Sequence, residues 1–211
     1  MGSVTEYLTV DGTNALEVDE KRSRFIGVVT HVERVADVDS FLEKLRKSNK
    51  DAKHIAYGYC LGKDSSTSKN NDDGEPGGSA GAPITEAITK SGITDCLVCV
   101  VRYFGGIQLG KSKLTRTYFN AAFEAIKQSK KVRMVDCAIY GLTIKYPDFV
   151  SIGTYLRDNH IPIISAEYGD VVSLRVAFPV EEIDKHISEI KMKIEEEFMC
   201  SKIDAGYFKM D

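Results

Sequence analysis

Apolar and polar positions follow two different periods along the chain, and the switches between them outline its elements. Residues 23–32 (SRFIGVVTHV) and 52–62 (AKHIAYGYCLG) read as strands, and 96–104 (CLVCVVRYF) is the apolar run of a buried strand. Between the first two, 35–49 puts Val38, Phe41, Leu42 and Leu45 on one helical face. A short helix is predicted over 83–92, with Pro83 near its first turn and Gly92 at its end, and a longer one over 114–128. Residues 63–82 hold almost no apolar side chain and predict a long polar loop.

The second half has its own order. Residues 138–146 alternate, with Tyr140, Leu142, Ile144 and Tyr146 on one face, and 148–160 is an amphipathic helix. Strands over 161–168 and 171–178 meet at Gly169-Asp170, and Ile183, Ile187, Ile190, Ile194 and Phe198 mark a helix, whose acidic run at 195–197 reads as a solvated face. A last strand covers 201–208. The order β-α-β-β-α-β is that of a ferredoxin-like domain. The break at SKKVR (129–133) predicts two α+β domains, 1–131 and 132–211.

Apolar residues make up 43% of the 211 positions, enough for a packed core. No apolar run approaches the ~18 residues of a membrane helix, and MGSVTEYLTVDG has neither segment of a secretory signal. With five cysteines, an odd number, a cytoplasmic protein with reduced thiols is expected. Cys96 and Cys99 form a C-x-x-C inside a strand-like run, where side chains three apart point to opposite faces; their role is structural. Net charge is −3, yet 102–133 holds eight Lys or Arg and one acid, Glu124, so that segment carries +7 and the remainder −10. Such a division sets a basic face on an acidic body.

The basic segment contains GGIQLGKS (105–112), which matches the phosphate-cradling pattern G-x-x-x-x-G-K-S between a strand and a helix. No second apolar strand ends in the Asp that a metal-dependent nucleotide hydrolase needs. Gly105, Gly106 and Gly110 permit unusual backbone shapes, and Ser112 is placed to cap the following helix. Lys113, Arg116, Asn120, Glu124 and Lys127, spaced 3, 4, 4 and 3, share one helical face. With Lys111 at the tip and Arg102 on the preceding strand, they form a cationic ridge suited to phosphate oxygens. Asp72, Asp73 and Glu75 cluster in the polar loop beside Gly74 and Pro76, but their spacing fits no EF-hand, so no metal is assigned. Pairing of these carboxylates with Arg102 is expected to lock the loop against Gly105-Gly106. His54 is the foremost candidate base, although a lone strand histidine is commonly structural; no catalytic residue or cofactor is assigned.

NDDGEPGGSAGAPI (71–84) and VVRYFGGIQLGKSKLTRTYFNAA (100–122) closely resemble the signature of the YigZ/Impact family. KRSRFIG (21–27) and DAKHIAYGY (51–59) are similar to two further blocks of it, and the resemblance covers roughly residues 15–130. It implies an N-terminal domain like the second domain of ribosomal protein S5, then a domain like the last one of elongation factor G. It also implies translation-linked binding of RNA, the ribosome or a translation-regulator protein; neither DNA nor a membrane is expected as a partner. The family loop ordinarily carries a small residue and two glycines where this chain has Lys111-Ser112-Lys113. The nucleotide-hydrolase pattern then becomes a local substitution within a different motif. The alternatives are that hydrolase, working at 105–112, and a protein-interaction regulator without RNA contact.

Overall fold

The computed structural model describes residues 5–194 and 199–210. In chain order they form β1 (Glu6–Val10), β2 (Thr13–Glu20), β3 (Ser23–His31), α1 (Val35–Ser48), β4 (His54–Leu61), β5 (Thr67–Asn71), α2 (Gly81–Ser91), β6 (Cys96–Tyr103), α3 (Lys111–Gln128), β7 (Lys131–Ile144), α4 (Tyr146–Asp158), β8 (Ile163–Tyr168), β9 (Val172–Pro179), α5 (Ile183–Lys191) and β10 (Met199–Met210). Contacts divide these residues into two compact units, Tyr7–Val132 and a second made of 5–6 with 133–210.

In the first unit the strands run in the order β2-β3-β6-β4-β5, every neighbouring pair antiparallel. The central strand β6 is the continuous apolar run, buried on both faces. One face carries Phe25, Cys96, Val98 and Val100 under α2 and α3; the other carries Val28, Leu97, Cys99 and Val101 under α1. Cys96 and Cys99 therefore lie on opposite faces, as strand geometry requires. Helix α3 approaches the sheet over Gly27, where an added Cβ would run into the Ala121 carbonyl.

In the second unit the order is β10-β7-β9-β8, again antiparallel. Leu142, Ile144, Leu174, Val176 and Phe178 pack with Ile152 and Leu156 of α4 and Ile190 of α5. The Asp136 N–H donates to the Thr5 carbonyl at 2.8 Å, which attaches residue 5 to this unit.

Several sequence expectations shift. The polar stretch 63–82 contains a strand, β5, whose five residues are all exposed; it forms because β4 offers a free ladder edge, not because of an apolar pattern. β1 and β2 precede the first strand read from the sequence. β7 begins at Lys131, inside the segment read as a domain break, because β10 pairs along it as far as Arg133. Tyr146 opens α4 instead of extending β7. Phe198 and the acidic run 195–197 lie outside the described residues.

Two glycines should respond to alanine in opposite directions. Gly27→Ala overpacks the α3 contact and is expected to cost about 1–3 kcal/mol. Gly153→Ala, inside α4 with no atom near the added Cβ, should gain up to about 1 kcal/mol. Equilibrium urea unfolding checks both, and equal midpoints for the two variants would contradict this packing. The thiols supply a second test. Burial pushes the Cys60, Cys96, Cys99, Cys137 and Cys200 thiols up, so less thiolate is present at pH 8 than in an open chain. With a disulfide reagent at that pH the folded protein should expose at most the half-buried Cys200 to rapid labelling, and all five cysteines once denatured. Fast native labelling of two or more would place at least one of the buried Cys60, Cys96, Cys99 and Cys137 outside its core.

Candidate functional site

The register of the first sheet fixes the site. Arg102 of β6 stands opposite Phe25 of β3 and opposite His54 of β4, and residues facing each other across antiparallel strands share a face. Arg102 is 6% exposed, and a guanidinium so placed needs a carboxylate. Glu75, 8% exposed, supplies it: Arg102 Nη1 donates to Glu75 Oε1 at 2.6 Å. The Tyr118 hydroxyl, from α3, donates to the same oxygen at 2.7 Å. Burial, together with this bond to Glu75, pushes the Tyr118 phenol up, so it stays protonated and remains a donor.

The segment carrying Glu75 is tied down residue by residue. The Asp72 carboxylate accepts N–H bonds from Gly78, Ala80 and Gly81 at 2.8–2.9 Å. Burial alone would raise the Asp72 carboxyl; those donors and the charge of Lys111 outweigh it and hold the group below its usual range. Asp73 Oδ2 accepts from the Ile55 N–H at 2.6 Å and from Arg46 at 2.7 Å. The Asp73 carbonyl accepts from His54 Nδ1 at 2.7 Å, which places a proton on Nδ1 and leaves Nε2 facing Glu75 Oε1, 3.9 Å away. Gly74, at φ +83°, turns the chain between them. The three acids thus hold three different sets of donors and do not converge on one point.

Gly105 sits against the β2–β3 turn, where an added Cβ would collide with the Arg22 carbonyl; its N–H donates to Ser23 Oγ at 3.1 Å. Gly106 and Gly110 take φ of +85° and +75°. Helix α3 opens at Lys111 with Gly110 as its N-cap and no side-chain cap. Ser112 is therefore inside the first turn and not the cap expected from the sequence, because the backbone of Gly110 already turns the chain into the helix.

The basic residues separate into three positions. Lys111, Ser112, Lys113 and Arg116 surround an open depression of about 640 Å³ that also includes Glu20. Lys113 pairs with Glu20 at 2.8 Å, whereas Lys111 and Arg116 are exposed and outside any ion pair among the described residues. Lys127 lies sixteen residues on, about 24 Å along the helix axis, with Glu124 at 4.0 Å. Arg102 is no part of an exposed ridge: its burial and its bond to Glu75 set it in the floor of an adjacent cleft. That cleft, about 500 Å³, is lined by Lys53, His54, Glu75, Arg102, Phe104 and Lys111, among others. It joins the two stretches, 71–84 and 100–122, that carry the signature. Tyr118, Arg46, Lys53 and Phe104 belong to the site but were not picked out from the sequence. The helical spacing of Tyr118 is that of a core residue, Arg46 carried no signal, and Lys53 and Phe104 adjoin His54 and Gly105.

Comparison with known proteins bears on the same residues. The Impact N-terminal domain family matches residues 21–126. The Escherichia coli protein named IMPACT family member YigZ is 33% identical over 165 residues, 77% of this chain and 81% of that protein. An IMPACT family member of Haemophilus influenzae is 28% identical over 205 residues, 96% of this chain and 100% of its own length. A crystal structure of a hypothetical protein matches with a TM-score of 0.64 at 28% identity, over 95% of this chain and 98% of that one. With its signature stretches meeting in one cleft and a family match over half its length, the chain belongs to the Impact family.

Proposed function

We propose that this protein is a non-catalytic, cytoplasmic component of translation that holds RNA, free or ribosomal, by its phosphates at the N-terminus of α3. One observation carries the reading: Lys111, Lys113 and Arg116 converge on one open depression at an uncapped helix start with no acidic residue in its first turn. Free N–H groups and the positive end of the helix dipole draw anions there, and side-chain cations extend the attraction to a polyphosphate backbone. The one carboxylate lining the depression, Glu20, is already engaged by Lys113. The link to translation comes from the family resemblance, the phosphate contacts from the geometry.

The sheet weighs against a nucleotide hydrolase at 105–112. β6 lies between two antiparallel neighbours, so among the described residues no parallel strand beside it ends at the loop with an Asp for a metal-bound nucleotide. Gly105 is committed to the β2–β3 turn, not to a ligand.

Binding of purified protein to structured RNA and ribosomes across a salt series tests the proposal. Wild type should weaken steeply as salt rises, and Lys111→Ala/Arg116→Ala should lower affinity and flatten the slope of log K against log salt by roughly 1–2. Binding that ignores both salt and the double variant would point to a protein partner instead. Mg²⁺-dependent hydrolysis of ATP or GTP that is lost in Lys111→Ala would restore the hydrolase.

A further inference from the structure

The cleft beside the RNA-facing depression has a different character. Its deepest residues, Arg102 and Glu75, are nine-tenths buried, and its walls come from four separate segments: Lys53-His54, 74–76, Phe104 and 108–114. At about 500 Å³ it falls within the size range of small-ligand sites. Three cations, Lys53, Arg102 and Lys111, line it against one carboxylate, Glu75, so it carries a net positive charge.

Two independent features point to an anion. The first is the uncapped start of α3, which forms part of the wall. The second is Arg102 itself. It lines the cleft while nine-tenths buried, and among the described residues only its Nη1 has a side-chain acceptor, Glu75. An unsatisfied donor on a buried cation is costly, and a water or an anion in the cleft would satisfy it. The same cleft offers an apolar side. Phe104, 40% exposed, lies with Lys53 at 5.0 Å from its ring centre, and Leu109 and Leu114 stand beside it.

We infer that this cleft seats a terminal phosphomonoester, the 5′-phosphate of a single-stranded RNA end, with the first nucleoside against Phe104 and Leu109. A monoester carries close to two negative charges at neutral pH, whereas each internal diester of the backbone carries one. The cleft, with the buried Arg102 guanidinium in its floor and Lys53 and Lys111 beside it, favours the former, while the exposed cations at Lys111–Arg116 suit the latter. The RNA identity of the ligand rests on the function proposed above; the preference for a phosphomonoester rests on the cleft alone. A free mononucleotide presents the same group and is the other source of it.

Fluorescence anisotropy with one short oligoribonucleotide, made with a 5′-phosphate and with a 5′-hydroxyl, separates the possibilities. Wild type should bind the phosphorylated form about tenfold more tightly, the size of one charge-assisted contact. Lys53→Ala, an exposed change away from α3, should bring that ratio close to one, chiefly by lowering affinity for the phosphorylated form. Lys111→Ala/Arg116→Ala should lower both affinities. Equal binding of the two forms by wild type overturns the inference and leaves the RNA surface standing. Binding of the phosphorylated form alone supports the cleft and removes the surface. If neither oligonucleotide binds, adenosine 5′-monophosphate decides by amide NMR. Shifts at Lys111 and Ser112 that vanish in Lys53→Ala assign the cleft to a free mononucleotide, and unshifted signals overturn it.

Discussion

One buried carboxylate oxygen organises the first unit. Glu75 Oε1 receives Arg102 from the central strand and Tyr118 from α3, while Glu75 itself belongs to the segment between β5 and α2. Sheet, helix and connecting segment are thereby pinned at one atom. Taking both charges out of water is expensive, and their attraction offsets this only when the remaining donors are also placed. Removing one partner from such a pair typically costs about 3–5 kcal/mol, because the other charge is left stranded. The pair therefore acts less as a source of stability than as a condition on the fold. Any packing that moves α3 or the 72–81 segment exposes a charge to an apolar interior.

That condition accounts for the composition around it. A segment that must present Glu75 at a set depth cannot rely on apolar burial, since it has almost no apolar residues. It relies on Asp72 collecting three N–H donors and on Asp73 joining β4 and α1 through Ile55 and Arg46. The glycines divide the work. Gly74 supplies a turn, and Gly105 lets the chain pass under Arg22. The tip, Lys111-Ser112-Lys113, places three exposed polar or charged side chains at the start of α3.

Much of the fold could be read from the sequence because burial writes a regular pattern. The two-faced run of β6 and the stripe of α1 both appear as periodicity, and the opposite orientation of Cys96 and Cys99 follows from strand geometry alone. β5 could not be read this way, because nothing apolar specifies it; only the open edge of β4 does. Within the site, the pairing of Arg102 with an acid of the polar loop was legible as charge complementarity between two motifs 27 residues apart. Which acid, and at what depth, was not, because that depends on the register that sets Arg102 beside His54 and Phe25. Tyr118 stayed hidden since its position on α3 is fully explained by packing, and a hydroxyl adds nothing to periodicity. Ser112 was misplaced because a serine beside a glycine looks like a cap, whereas a glycine with positive φ can start the helix by itself.

β5 has a consequence for the protein among other molecules. It and β2 form the two outer borders of the first sheet, and each border presents free backbone groups that could recruit a strand from another chain. β5 is exposed along its whole length and reads TSKNN, with Lys69 at its centre. β2 carries Glu17, Asp19 and Glu20. Both borders are strongly hydrated, and copies approaching along matching borders meet like charge. In a crowded cell the residues that look least structured in the sequence are those that keep this sheet from growing into a polymer.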